Sequence, residues 1–181
     1  MSAKKTAAVW IVAGILFGYW WTVERVPAST KSAEIKRAKF LSVFRDDVTA
    51  IELTRDGKDV RAEKKEKRWV ITRPDGATIP SDLVSSLVDN LTEHQDAEVV
   101  NEEPKPGDLA AFGLDKPRTE MVVELADGKK MKIAFGAQNP PRTAIYARSD
   151  AAPQIYLIGL NLQYYGDLVF QAAFAPAKIA S

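Results

Sequence analysis

Cysteine is absent from this chain of 181 residues, and histidine occurs once, at His94. Without cysteine the protein forms no disulfide, no thiolate metal site and no cysteine nucleophile. A single histidine excludes a two-histidine metal site within one chain, and no serine lies in a Gly-x-Ser-x-Gly elbow. The residues available for catalysis are therefore few, and we expect a protein that is not an enzyme.

A strong net charge is also missing, since 25 Lys and Arg face 24 Asp and Glu. No Walker-type loop, Gly-x-Gly-x-x-Gly run or basic stripe interleaved with aromatic residues occurs, so we expect no cofactor and no nucleic acid partner. The charges are nevertheless uneven, because residues 1–73 carry 16 basic and 9 acidic side chains. This basic half suits anionic lipid headgroups or an acidic partner surface. Solvated lysines clustered in one hairpin are an equally good interpretation.

The longest apolar run extends from Thr6 to Val23, 18 residues without a charge. At helical rise it reaches ~27 Å, close to the thickness of the hydrocarbon core of a bilayer. Lysines precede it and amphipathic rings, which favour the headgroup level, crowd its far end. We predict a single transmembrane helix in residues 1–25 whose membrane-interface residues are Lys4, Lys5, Tyr19, Trp20 and Trp21.

A removable signal peptide is the alternative, because Val26-Pro27-Ala28 has the small-residue pattern of a cleavage site. The two tryptophans and the charged pair Glu24-Arg25 are unusual before such a site, and the apolar run is longer than a typical signal core. An uncleaved anchor is the favoured interpretation. Its orientation stays open, because basic residues flank the run on both sides.

Glycines give the predicted helix one narrow face. Gly14 and Gly18 are four residues apart, and Ala7 and Ile11 continue the same face. Small residues at this spacing let a second transmembrane helix approach closely. We predict a helix-packing role for this face, although glycine is also common in membrane helices in general.

The rest of the chain is predicted as a juxtamembrane linker at 26–44, with room for a helical turn over 33–40, one α+β domain at 45–174 and a tail at 175–181. Alternating residues and Asp-Gly turns predict antiparallel hairpins. A central helix over 78–95, with an apolar stripe, and a C-terminal helix over 162–174 capped by Asn161 complete the domain. The predicted strands are 48–55, 58–65, 68–73, 97–100, 119–125, 129–135, 144–148 and 154–159.

A spaced set of short motifs resembles a bacterial family of membrane-anchored proteins, the domain of unknown function 4340 family. The motifs are Trp69-Val70-Ile71, Pro80-Ser81-Asp82, Phe112-Gly113-Leu114-Asp115-x-Pro117, Asp127-Gly128-Lys129, Phe135-Gly136, Tyr146-x-Arg148 and Ile155-Tyr156-Leu157. Members are often encoded beside gliding-motility-type ABC transporters. The resemblance implies an N-terminus in the cytoplasm and a periplasmic domain at the inner membrane, and it supplies no catalytic residue.

Three functions follow from these features. The first is a non-catalytic accessory subunit that docks on and stabilises a larger integral-membrane complex, such as a transporter or a respiratory or photosynthetic assembly, with lipid headgroups as a further partner. The second is a module that binds an envelope ligand or glycan, and the third is a carboxylate-based hydrolase. The candidate groove for a ligand consists of Arg142, Tyr146, Arg148, Tyr156, Tyr164 and Tyr165.

Overall fold

Nine antiparallel strands form one sheet in the computed structural model, which describes residues 36–93 and 96–174. Their order across the sheet is β1-β5-β9-β8-β7-β6-β2-β3-β4. Four predicted strands, 48–55, 58–65, 68–73 and 119–125, are confirmed at both ends. The strands are β1 Arg37–Lys39, β2 Val48–Arg55, β3 Lys58–Lys65, β4 Arg68–Arg73, β5 Asp96–Asn101, β6 Thr119–Leu125, β7 Lys130–Gln138, β8 Ala144–Ser149 and β9 Ile155–Gly159.

Two helices pack against each other and against the sheet, which confirms the predicted α+β class. Helix α1 is Ser81–Thr92, shorter than the predicted 78–95, and helix α2 is Asn161–Phe174. The predicted apolar stripe of α1 is its buried side, formed by Val84, Leu87, Val88 and Leu91. Two short 3₁₀ segments, Arg45–Asp47 and Pro106–Phe112, lie in the connections.

The core lies on one face of the sheet because alternate residues of the central strands are apolar. In β2 and β6 the pairs Ile51–Val123 and Leu53–Met121 stand side by side, each at most 2 % exposed. Burying a large aliphatic side chain contributes roughly 1.5–3 kcal/mol. Register is firmly set in these strands, since a slip by one residue would turn the apolar set to the other face.

The domain begins before residue 45, so the predicted linker at 26–44 is too long. Strand β1 pairs with β5 through Ala38 and Ala97, and the predicted helical turn is therefore wrong for Arg37–Lys39. Phe40 is only 3 % exposed and packs edge-on against Tyr156, with 5.3 Å between the ring centroids. The local pattern did not reveal this strand because its partner lies almost 60 residues further along the chain.

The predicted transmembrane run Thr6–Val23, His94 and the predicted tail at 175–181 lie outside the described residues. Within residues 36–93 and 96–174, no helix has the length and apolar character needed to cross a membrane.

The segment that follows β5 lies directly on the backbone of β7. A Cβ built on Gly136 would lie 2.2 Å from the carbonyl oxygen of Phe112 and 3.0 Å from Cγ of Leu114. Gly113, at φ 68°, would place a Cβ 2.9 Å from the backbone nitrogen of Ala137. Such distances are too short for any side chain, so the two segments can meet only because glycine occupies both positions.

We expect Gly136→Ala to destabilise the domain by about 3 kcal/mol or more, because its methyl group would have to displace backbone rather than a flexible side chain. The measurement is urea unfolding of the full-length protein in mild detergent, followed by circular dichroism. Gly107→Ala is the matched control, since no atom lies within 4 Å of its Cβ position. Equal midpoints for the two variants would contradict the close approach.

Candidate functional site

The structure does not bring the six predicted groove residues together. Tyr156 is 6 % exposed and belongs to the core. Tyr146 faces the opposite side of the sheet, because its neighbours Ile145 and Ala147 point into the core. There its ring packs edge-on against Phe112, with 4.9 Å between the centroids. These two tyrosines are therefore on different faces of the sheet.

The other four groove residues lie at three separate places. Arg142 is exposed in the turn between β7 and β8, whereas Arg148 is half-buried on the same face as Tyr146. Tyr164 and Tyr165 are on α2 and line a shallow hollow between α1 and α2. A single groove formed by all six is thus not present.

A cavity of about 160 Å³ lies between α2 and the sheet, and we call it the α2 cavity. It opens at the end of the sheet where β2 finishes and β6 begins. Apolar side chains form its floor and polar side chains surround its mouth. The floor residues are Leu53, Met121, Phe135, Ile145 and Leu162, with Gly136 and Gly166 in the wall, and the mouth residues are Arg55, Arg118, Thr119, Gln163 and Asp167.

Arg55 connects the sheet to α2 beside this cavity. Its Nη2 donates to the carboxylate of Asp167, and its Nε donates to Oγ1 of Thr119 at 2.9 Å. The guanidinium also lies over the ring of Phe170, 5.2 Å from the centroid. Since the Arg55 side chain is only 19 % exposed, these contacts hold α2 in place and leave Arg55 little freedom to bind anything else.

Arg118 is the second cation at the mouth and is much less constrained. Its side chain is 78 % exposed, and the one ion pair that it forms within the described residues joins Nη2 to Asp56 at 3.2 Å. Exposed pairs of this kind contribute about 0–1 kcal/mol. Arginine has five N–H donors, so Arg118 retains donors for an anion at the mouth.

The sheet face opposite the helices carries an ion network centred on Arg61. Both Nη atoms of Arg61 donate to Glu124 at 2.9 Å, a bidentate pair. Nε of Arg61 donates to Glu63 at 2.9 Å, and Nη1 also reaches Glu52 at 3.1 Å. Lys130 donates to Glu124 at 2.6 Å from the neighbouring strand. Four strands, β2, β3, β6 and β7, are therefore joined across this face.

The network keeps the carboxylate of Glu124 ionised. Hydrogen bonds from Arg61, and then from Lys130, lower the pKa of Glu124 from an ordinary value of 4.5 to about 2. The same bond raises the pKa of Arg61 above its already high usual value. A carboxyl group with a low pKa carries no proton near neutral pH, so Glu124 is unsuited to be a general acid. Its role in the structure is to balance charge on a half-buried face.

Metal binding finds little support in residues 36–93 and 96–174, where no three His, Cys, Asp or Glu side chains are placed to hold an ion. No local pattern in the sequence predicted the α2 cavity. The one local signal was Gly166, a glycine inside an otherwise apolar helix pattern. No sequence pattern marked Arg55 or Arg118 as part of a site, because their position at the mouth of the α2 cavity depends on the pairing of β2 with β6.

Comparison with known families gives one result. A family model described as a domain of unknown function, DUF4340, matches residues 69–172, more than half of the chain. The chain belongs to the DUF4340 family. This confirms the resemblance found in the sequence. The DUF4340 match includes the Gly113 and Gly136 contact and most of the α2 cavity, but not Leu53 or Arg55. No curated protein and no solved structure matches the chain.

We expect the contribution of Glu124 to stability to depend on pH. Because its pKa is lower in the folded protein, the contribution is fully present above about pH 4.5 and is lost as the pH falls through about 2. At pH 7, Glu124→Gln should lower the free energy of unfolding by about 1–3 kcal/mol. Urea unfolding of wild type and variant from pH 7 to pH 2 should show this gap closing.

Glu103→Gln is the control for that series, since Glu103 is exposed and outside the Arg61 network. A gap between wild type and Glu124→Gln that stays constant down to pH 2 would show that charge at Glu124 is not its source.

Proposed function

We propose that this DUF4340 protein is a non-catalytic, single-pass accessory subunit that docks on and stabilises a larger integral-membrane complex. The observation that carries the proposal is the uncharged run Thr6–Val23 with its Gly14 and Gly18 face. Contact of such a face with lipid stabilises the helix little, whereas close packing on another helix stabilises it through van der Waals contacts. The proposed location is the bacterial inner membrane, with the N-terminus cytoplasmic and the domain periplasmic.

The strand register adds support from the domain itself. We define the proximal end of the sheet as the end at which Lys36 leads into β1. The register of the paired strands places the β6–β7 turn and the β3–β4 turn at this same end of the sheet. The pairs that establish this are Arg37–Glu98, Asn101–Ile155, Ile133–Ser149, Glu124–Lys130, Val48–Leu125, Ala50–Glu63 and Lys65–Arg68.

The β3–β4 turn is strongly basic. Lys64, Lys65, Lys67 and Arg68 surround a single acid, Glu66, at its tip. Within residues 36–93 and 96–174, the ion pairs of this cluster are those of Lys64 with Asp46 at 3.7 Å and of Lys65 with Glu63 at 3.9 Å. In a protein anchored by the run Thr6–Val23, such a tip is complementary in charge to anionic headgroups. This supports anionic lipid as a second partner of the subunit.

The accessory-subunit proposal is tested by what the intact protein copurifies with. Affinity purification from native membranes in a gentle detergent, followed by native gels, should recover a complex of defined composition that contains polytopic membrane proteins. Gly14→Leu with Gly18→Leu should lower the recovery of those proteins at least tenfold, because two isobutyl groups block close helix approach. The amount of the subunit in the membrane should not change.

Ala13→Leu is the matched control, because the helical period places Ala13 off the Gly14 and Gly18 face. Its copurifying proteins should equal those of wild type. Migration of the wild-type protein as a free 20.0 kDa monomer at native expression level would refute the proposal.

A separate prediction concerns contact between the β3–β4 turn and lipid headgroups. Because the chain has no cysteine, one introduced cysteine can be labelled selectively. A single Lys67→Cys, labelled with an environment-sensitive NBD dye, should fluoresce more strongly in nanodiscs that contain phosphatidylglycerol than in phosphatidylcholine alone. About 0.5 M salt should remove the difference, because it screens surface charge. Lys116→Cys, in the segment leading to β6 at the other end of the sheet, is the control. Equal signals from both sites in both lipids would contradict the contact.

A further inference from the structure

Gly166 is a buried glycine inside helix α2, where glycine weakens a helix relative to alanine. Among the described residues outside its own stretch of helix, a Cβ built on it would come within 4 Å of Cδ2 of Leu53 alone, at 3.9 Å, which is ordinary van der Waals contact. Packing therefore does not require glycine here, in contrast with Gly136, where a Cβ would overlap backbone. The effect of Gly166 is instead to keep the wall of the α2 cavity open.

The size of the cavity limits what it can hold. Its volume of about 160 Å³ is close to that of an engineered apolar cavity of about 150 Å³ that holds benzene. The floor of Leu53, Phe135 and Leu162 offers no hydrogen-bond partner, so water gains little there. An apolar group of about six carbons fits both the volume and the chemistry of the floor.

The mouth determines the charge of the ligand. Asp167 is neutralised by Arg55, so the group left to meet a ligand is the guanidinium of Arg118. Within the part of the chain that the structure describes, its weak pair with the exposed Asp56 engages Nη2 and leaves several donors for a ligand. Arginine binds carboxylates through two parallel hydrogen bonds, and Gln163 adds a neutral amide at the same mouth. A cationic ligand would meet two arginines here and is disfavoured.

We propose that the α2 cavity is a binding site for a small amphipathic carboxylate, with an apolar tail of about six carbons under α2 and its carboxylate on Arg118. The proposal rests on three observations: the cavity itself, Gly166, which packing does not require, and Arg118, which has donors available for a ligand. All three are independent of the membrane role proposed above. It is a ligand-binding function for the domain in addition to any docking function.

The test uses the full-length protein in phosphatidylcholine nanodiscs, with empty nanodiscs as the baseline, because detergent could itself enter the cavity. Isothermal titration should show saturable binding of hexanoate at one molecule per chain. Acetate, which lacks the tail, and hexylamine, which has the opposite charge, should each bind at least tenfold more weakly. Absence of saturable hexanoate binding would overturn the proposal.

Variants separate binding from folding. Gly166→Ala should raise the midpoint of thermal unfolding and weaken hexanoate binding severalfold, two effects in opposite directions that a purely structural glycine would not produce. Gly166→Leu should abolish binding by filling the cavity. Arg118→Gln should weaken hexanoate binding at least tenfold and leave the unfolding midpoint unchanged.

Arg142→Gln is the matched control, since Arg142 is also exposed but is not part of the cavity wall. Should Gly166→Leu fail to fold, Gly166→Ala and Arg118→Gln still decide the question. A lower unfolding midpoint for Gly166→Ala, or unchanged hexanoate binding in both of these variants, would overturn the proposal.

Discussion

A nine-stranded sheet about 40 Å wide has two faces to cover, and each helix covers a strip about 10 Å across. Because α1 and α2, the two α-helices of residues 36–93 and 96–174, both lie on one face, neither of them covers the opposite face. Part of it is covered by the segment before β6, through Phe112 and Leu114, and part by the Arg61 network. The ion pairs are thus the alternative to a second hydrophobic layer. They keep the face polar while neutralising the charges that antiparallel pairing brings together.

The need to cover the sheet face opposite the helices also explains why two of the motifs shared with the DUF4340 family lie far apart in the chain. Phe112-Gly113-Leu114 and Phe135-Gly136 are far apart in the chain, yet they form one contact in the structure. The first piece must end a 3₁₀ segment and turn in the left-handed region, and the second must present bare backbone to receive it. Each glycine is needed because of the other, so neither motif has its physical meaning alone. Together the two motifs close one face of the sheet in this chain.

Hairpins and helices were predictable because their signals are local. Asp56-Gly57 and Asp127-Gly128 stand between alternating strands, and both turns are present at positive φ in the glycine. The strand β1 and the α2 cavity were not predictable, since each depends on residues brought together from distant segments. The six-residue groove failed as a single site for a related reason. Alternation along β8 and β9 sends Tyr146 and Tyr156 to opposite faces, and the sequence does not show which face either ring takes.

The order of the strands also determines when the domain can assemble. Strand β2 lies inside the sheet, between β3 and β6, but β6 is separated from it in the chain by the whole of residues 56–118. During synthesis the β2–β4 meander is therefore complete well before its open edge finds a partner. Contacts between distant segments are slow to form, and an unpaired apolar edge is prone to wrong association in the meantime. The chain must be made as far as Leu125 before β2 and β6 can pair along their full length, so the β2–β4 meander of a nascent domain keeps an open strand edge until that point.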